Sequence, residues 1–260
     1  TVYPKVLFEN NGVGYSRGYA ILSINLYPVQ YNPAKGTIYY FSDMIVNIEL
    51  IDSKEVNQLY RGEKEDKEWV EKIVSNSEIT STYTDNNLGE TLYNGGICDP
   101  SDNGGLGYDY VILVREALYD FTEEYTWDDF INKKESEGLE TTRVKIEDIT
   151  ATTDYWNSDP LFNDTTAQIR EFCKDAYQDW GTDYLLVAGD QDGPNSIQRR
   201  LMTYEDESGV ESDIYFTHLD NTFNADSDSS WGERGDGGFD LYTEMYSGSL
   251  PCDDPIDISN

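Results

Sequence analysis

Positive charge is scarce in this chain. Its 260 residues include 18 Lys and Arg against 51 Asp and Glu, which leaves a formal net charge of −33 at pH 7. A field this negative repels the phosphates of nucleic acids and of anionic lipid headgroups, and it attracts divalent cations. We therefore expect no nucleic acid partner and no peripheral binding to an anionic membrane.

Long apolar runs are missing as well. No segment approaches the roughly 20 apolar residues needed to cross a bilayer, so the sequence predicts no membrane span. Aromatic residues still make up 13% of the chain, which is enough to build a buried core. The acidic surface, rich in Tyr, Asn, Ser and Thr, is typical of an extracellular setting, and we expect a secreted or cell-surface protein.

Cysteine is limited to Cys98, Cys173 and Cys252, and no two of them form a CxxC motif. This spacing excludes a zinc knuckle and a thioredoxin-type site. Cys173 lies on the apolar stripe of a predicted helix, so we expect it to be buried. Cys98 and Cys252 lie in polar stretches, and both a disulfide between them and two free thiols remain open.

The familiar catalytic motifs are absent. The sequence has no GxSxG, Walker loop, HExxH or GxGxxG, and His218 is its only histidine. A Cys–His dyad needs the two side chains within hydrogen-bond reach, and no spacing in the chain brings a cysteine to His218. By its own residues, the chain offers no assembled catalytic apparatus.

Residues 1–75 are interpreted as a β-rich arm that ends in a short helix over 63–75. Alternating apolar residues over 19–29 and 38–50 predict two strands, and the turn residues of 31–36 predict a hairpin between them. Two strands alone rarely hold together in water, so we expect the arm to close a small antiparallel β-sandwich with a further partner strand or with sequence outside this chain. Residues 76–107 lose this periodicity and gain glycine, which is typical of a linker.

Residues 108–260 are predicted to form a separate α/β unit. Its expected strands are 110–114, 142–146, 184–188 and 213–219, and its expected helices begin after Thr126 and cover 165–180. Strands that alternate with helices imply a mostly parallel, doubly wound sheet with helices on both faces. The predicted fold class is therefore α/β, preceded by the β-sandwich-like arm. Ligands of such sheets bind beyond the carboxyl ends of the strands.

A dense group of oxygen-bearing side chains follows the last predicted strand. Hard oxygen ligands at this spacing suit Ca²⁺, which takes six to eight of them. The alternative is a solvated acidic loop, although the aromatic residues within it favour anchoring over free motion. The loop is not an EF-hand, because the required glycine and terminal glutamate are missing. The predicted ligands are Asn224, Asp226, Asp228, Ser230, Glu233 and Asp236.

A smaller acidic group, Asp190 and Asp192, comes directly after the buried run 184–188. In a parallel sheet this position is at the edge where ligands bind, so the pair could line a metal site or a substrate cleft. The alternative is a polar turn, for which aspartate is a common residue.

Several segments, taken together, resemble the gingipain-type cysteine peptidases. RGYAILSINLYPVQYNP and IYYFSDMIVNIEL are similar to the end of that family's propeptide. YDYVILV, DYLLVAGDQDGP, SDIYFTHLDNTFNADSDSSWGE and FDLYTEMYSGSLP are similar to the first half of its caspase-like catalytic domain. The resemblance implies an exported, calcium-stabilised endopeptidase with an N-terminal prodomain.

The resemblance also implies roles for particular residues. It identifies Asp226, Asp228, Glu233 and Asp236 as calcium ligands. Asp240 matches the start of a segment that contributes to the family's substrate-side cleft, and Asp190 is the second cleft candidate.

The chain departs from the family's pattern in ways that bear on activity. The family's catalytic histidine, in an HG context, and its nucleophilic cysteine lie in the second half of the domain, and neither His218 nor Cys252 matches them. Ser249 stands where the family usually has arginine, and Thr243 where it often has proline. We therefore expect this chain alone to be inactive and to bind a peptide substrate only when a second subdomain completes it.

A second hypothesis gives the same fold a different use. The chain would be a non-catalytic, calcium-binding extracellular scaffold or assembly subunit. Its motivation is the missing dyad together with the arm, whose exposed strand edges offer a surface for self-association.

Overall fold

The structure is a computed structural model that describes residues 1–49, 51, 56–84, 88–89, 92–93, 95–204, 207–233 and 240–260. The arm contains two separate antiparallel hairpins. Their strands are β1 (Phe8–Ser16) with β2 (Tyr19–Leu26), and β3 (Val29–Asn32) with β4 (Thr37–Tyr40). The turn predicted over 31–36 is confirmed, and within it the Asn32 side chain accepts a hydrogen bond from the backbone N–H of Ala34 at 3.1 Å.

The predicted pairing of 19–29 with 38–50 is wrong. β2 pairs instead with β1, a strand that the sequence interpretation missed because its glycines and asparagines interrupt the apolar alternation. The predicted second strand ends at Tyr40, and residues 41–49 have no ladder partner among the described residues. Among the described residues of the arm, each sheet therefore has two strands, and Tyr3 adds one isolated bridge to Tyr31.

The helix predicted over 63–75 is confirmed as α1 (Lys64–Ile73). Val70 from its apolar stripe packs with Tyr19 and Ile21 of β2 and with Tyr60. This small core supports only the inward face of the first hairpin.

Buried ion pairs connect the arm to the α/β unit. The guanidinium of Arg17, at the turn between β1 and β2, lies 2.6 Å from the Asp66 carboxylate and 3.2 Å from that of Asp183. Arg61 binds the same two carboxylates at 2.7 and 2.9 Å and stacks on the Tyr177 ring. Because two arginines share two carboxylates, the positive and negative charges balance inside the junction.

The α/β unit is built on four parallel strands in the order β10–β7–β5–β6, which confirms the predicted α/β class. A hairpin, β8–β9, lies between β7 and β10 in the chain. The strands are β5 (Tyr110–Val114), β6 (Thr141–Lys145), β7 (Tyr184–Ala188), β8 (Arg200–Tyr204), β9 (Glu207–Ser212) and β10 (Tyr246–Leu250).

Helices cover the sheet and connect its strands. The α-helices of this unit are α2 (Trp127–Ser136), α3 (Ile146–Ala151), α4 (Thr165–Asp175), α5 (Ile214–Thr217) and α6 (Pro255–Ser259). Shorter turns of 3₁₀ helix are Ser77–Thr82, Asp102–Gly105, Glu116–Leu118, Thr153–Tyr155 and Pro160–Phe162, and a π turn, Ala176–Trp180, extends α4. Across the described residues, we find no helix with the length and apolar character that a bilayer-spanning segment requires.

The predicted helix boundaries are confirmed by their caps. Thr126 and Asp129 form a capping box at the start of α2. Asp164 accepts a hydrogen bond from the backbone N–H of Ala167 at the start of α4, and Gly181 ends the helical stretch in the left-handed conformation. These are the residue types that satisfy the free backbone groups at helix ends.

The fourth strand is not where the sequence placed it. Residues 213–219 contain the helix α5, and the fourth strand of the sheet is β10. Tyr215, Phe216 and Thr217 are buried in succession, as one helical turn against a core allows and an alternating strand does not. β10 lies at the edge of the sheet and is largely exposed, so its sequence carries little apolar signal.

The core lies on both faces of the sheet. Val111 and Leu113 point into the larger cluster against α4, whereas Ile112 and Val114 point into a smaller cluster against α2. All four side chains have no solvent exposure, which confirms the prediction of a strand covered on both faces.

All three cysteines are free and buried. Cys98 lies with Cys173 in the larger cluster, and Cys252 lies in the cluster on the opposite face of the sheet. Cys98 and Cys252 lie in loops, as the sequence predicted, but their side chains are buried in apolar clusters on opposite faces of the sheet, so the two thiols are not paired.

A buried carboxyl group holds the segment that contains Cys98. Asp175 of α4 accepts hydrogen bonds from the Tyr155 hydroxyl and from the Cys98 backbone N–H. Its Oδ1 atom is buried without a hydrogen-bond partner. Burial raises the pKa of Asp175 to about 6, so the folded chain binds a proton there more tightly than the unfolded chain does.

Replacing Asp175 by asparagine is expected to raise the free energy of unfolding at pH 7.5 by about 1–2 kcal/mol. Protonation of Asp175 stabilises the folded protein, and this contribution to the free energy of unfolding is complete below pH ~4 and is lost as the pH rises through about 6. The neutral amide removes that dependence. Urea unfolding between pH 4 and 8 measures both effects. Asp154 is exposed, so Asp154→Asn is the matched control and should change the free energy of unfolding by less than about 0.5 kcal/mol. If the stability of Asp175→Asn changed with pH in parallel with that of the unmodified chain, the argument would be contradicted.

Candidate metal centre

Arg170 of α4 fixes the start of the acidic loop. Its side chain is buried and donates hydrogen bonds of 2.6–2.9 Å to four backbone carbonyl groups, those of Tyr215, His218, Asp220 and Asn221. The guanidinium also stacks on the rings of Tyr215 and Phe223. These four hydrogen bonds hold the end of α5 and the segment that follows it against α4.

The acidic loop is closed by contacts at both ends. Phe223 has no solvent exposure, and its carbonyl group accepts a hydrogen bond of 2.6 Å from the backbone N–H of Gly232. The Trp231 carbonyl accepts another from Thr203, and the Trp231 ring packs under the Arg200 guanidinium. The anchoring expected of the aromatic residues therefore holds for Trp231.

Three of the predicted ligands converge in this loop. One oxygen atom each from Asp226, Asp228 and Glu233 lies within 4.8 Å of the others. Ser227 has a φ of 61°, in the left-handed region, so the chain folds back between the two aspartates. Among the described residues, no lysine or arginine forms a salt bridge with Asp226 or Asp228. Three convergent carboxylates form a donor set that suits a hard cation.

The other predicted ligands have different positions. Asn224 is buried, and its amide group binds the backbone of Asp228, with hydrogen bonds of 3.0 and 3.1 Å. It therefore braces the loop. The backbone N–H of Ser230 donates to the Asp228 carboxylate at 2.6 Å. Asp236 lies outside the described residues.

A second acidic group, missed by the sequence analysis, lies at the junction with the arm. Asp220, Asp240 and Glu244 bring one oxygen atom each within 4.8 Å of one another. Glu244 accepts hydrogen bonds from the backbone N–H groups of Leu219 and Arg17, and Asp240 accepts from those of Asp220 and Tyr242. The Asp220 carboxylate accepts one from the Asn57 side chain.

Burial disfavours the charged form of two carboxyl groups in this second group. Burial raises the pKa of Asp240 to about 7, and the neighbouring Asp220 charge adds to that shift. Burial and the charges of Asp240 and Asp220 raise the pKa of Glu244 well above its usual range. Asp240 thus lies inside the protein, with almost no solvent exposure.

Asp190 lies at the carboxyl end of β7, the edge predicted for a ligand. Its carboxylate accepts a hydrogen bond of 3.1 Å from the backbone N–H of Asp192, which is the geometry of a polar turn. The carbonyl groups of Gly189 and Asp190 accept from Arg199, whose guanidinium also binds Asp213 and Ser249. The substrate-cleft role of Asp190 and Asp240 stays a prediction.

A search against protein families decides the relationship. The model of peptidase family C25 matches residues 105–260, which is more than half of the chain. The chain belongs to peptidase family C25. This is the gingipain family, so the resemblance seen in the sequence is confirmed. A search of curated proteins and a search of solved structures each returned no match.

The cysteines of this C25 family member are poor nucleophiles. Burial raises the pKa of all three thiols above the usual range, that of Cys252 to about 11. Burial and the Arg170 charge lower the pKa of His218 to about 4, and its Nδ1 atom lies 3.3 Å from the Thr217 hydroxyl. Only the thiolate attacks a carbonyl group, so a raised pKa disfavours the reactive form of these thiols at neutral pH.

Proposed function

We propose that this chain is the amino-terminal part of a gingipain-like, calcium-stabilised extracellular cysteine endopeptidase. The observation that carries the proposal is the family match over 105–260. In the complete enzyme a cysteine thiolate attacks the peptide carbonyl group, and an imidazole protonates the leaving amine. Both groups would come from sequence outside these 260 residues, because the three cysteines are buried, His218 is partly buried, and burial moves their pKa values away from those that the reaction needs.

The calcium part of the proposal rests on Asp226, Asp228 and Glu233. Three carboxylate oxygens in one closed loop supply about half of the six to eight ligands that Ca²⁺ takes, and backbone carbonyl groups and water commonly supply the rest. The ion would contribute no step of the reaction. It would offset two of the three negative charges and stiffen the loop that follows α5.

We base the proposed extracellular location on the net charge of the chain and on the proposed calcium site. A net charge of −33 suits a setting with free divalent cations and repels anionic surfaces. The prodomain role of the arm is proposed on the resemblance of residues 1–52 and on the contacts of Arg17 with Asp183 and Glu244 of the α/β unit.

An active-site probe tests the proposed function. A peptidyl acyloxymethyl ketone is expected to label the complete precursor on a cysteine that lies outside these 260 residues. Labelling should persist when Cys252 is replaced by serine. The 260-residue chain should react with no iodoacetamide while folded and at all three thiols in urea. Native labelling of Cys98, Cys173 or Cys252 would contradict the proposal.

The alternative function, a non-catalytic scaffold or assembly subunit, has one observation in its favour. The arm exposes large apolar side chains that a monomer leaves in water. A complete gene without a downstream cysteine and histidine would favour this alternative over the peptidase.

A further inference from the structure

The outward face of the first hairpin is apolar and uncharged. The register of β1 and β2 places eight side chains on that face, and none of them carries a charge. They are Phe8, Asn10, Val13, Tyr15, Ala20, Leu22, Ile24 and Leu26. We call this set the outer arm face. The opposite face of the hairpin carries Tyr19 and Ile21, which pack against α1.

The outer arm face is exposed to an extent that a folded monomer rarely shows. Phe8 is 56% exposed, Val13 60% and Leu26 47%. Phe8 lies opposite Leu26, and Val13 lies opposite Leu22, so the large side chains form cross-strand pairs. Such pairs stabilise a sheet when its face is covered, and a two-stranded ribbon in water is marginal without that cover.

Charge decides which surface of this protein can meet another copy. Residues 1–49 contain three basic and three acidic side chains, so the whole net charge of −33 lies in the rest of the chain. Two copies that approach through their α/β units would repel one another. Residues 1–49 are the neutral part of the molecule, so like-charge repulsion is smallest when two copies meet through this segment.

We propose that the outer arm face binds the same face of a second copy of this chain. Two hairpins packed face to face form a four-stranded sandwich with sheets about 10 Å apart, the usual spacing. The contact is isologous, as in most dimers, and it places no charged side chain in the interface. It also supplies the partner strands that the arm lacks in the monomer.

Analytical ultracentrifugation of the 260-residue chain tests the dimer. We expect a monomer–dimer equilibrium between 1 and 100 µM, a range typical of weak association. Raising NaCl from 50 to 500 mM should tighten the dimer at least about tenfold, because salt screens the repulsion between the acidic units. A chain that stays monomeric at 100 µM in 500 mM NaCl would overturn the proposal.

A charge-matched pair of double variants locates the contact. Val13→Glu with Leu22→Glu introduces two charges into the outer arm face and should give a monomer at every concentration. Leu106→Glu with Leu241→Glu adds the same charges at exposed leucines of the α/β unit and should dimerise as the unmodified chain does. Circular dichroism melts check that both variants are folded. Dimerisation of the arm variant would overturn the assignment. The proposal would also be overturned if the wild-type chain stayed monomeric and bound phosphatidylcholine vesicles in a flotation assay.

Discussion

Replacing Arg170 by methionine is expected to lower the free energy of unfolding by about 3–5 kcal/mol. The methionine keeps much of the side-chain volume and removes the donor of four hydrogen bonds. The carbonyl groups of Tyr215, His218, Asp220 and Asn221 would then be left inside the protein without that partner. Urea unfolding followed by tryptophan fluorescence measures the loss.

Arg143→Met is the control for this prediction. Arg143 also forms ion pairs, with Asp120 and Asp128, but both carboxylates are exposed. Surface pairs contribute about 0–1 kcal/mol, so the control should be nearly as stable as the unmodified chain. Equal losses in the two variants would show that the carbonyl groups do not depend on Arg170.

Calcium is expected to raise the free energy of unfolding by about 2.7 kcal/mol at a concentration one hundred times its Kd. For a chain of this size the corresponding rise in melting temperature is about 5–10 °C. The physical reason is that Asp226, Asp228 and Glu233 converge only in the folded loop, so the unfolded chain offers no comparable site. Melting curves in calcium and in EDTA measure the shift.

Two double variants decide where the ion binds. Asp226→Ala with Asp228→Ala should remove the response to calcium and leave the melt in EDTA as high or higher, because carboxylate repulsion is relieved. Asp190→Ala with Asp192→Ala removes the same charge from the turn after β7 and should keep the full response. A melt of the unmodified chain that does not differ between calcium and EDTA would remove the metal assignment.

Local signals in the sequence were sufficient to predict the strands that are buried on both faces and the helices whose ends have capping residues. The uninterrupted apolar run of β5 predicted a central strand, and Asp164 and Gly181 marked the ends of the α4 segment. The acidic loop was also visible, because its carboxylates are close together in the chain. Two strands were not visible: β10 is largely exposed and β1 is interrupted by glycine and asparagine, so neither carries a clear apolar period.

The sequence by itself determined the α/β class, the peptidase family and the presence of an acidic loop, since each depends on residues that are neighbours in the chain. Only the tertiary structure decided the contacts between distant segments. Arg170 binds carbonyl groups about fifty residues away, and Glu244 binds the backbone of Arg17 across nearly the whole chain. The order of the strands brings those groups together, and no local pattern of residue types encodes that order.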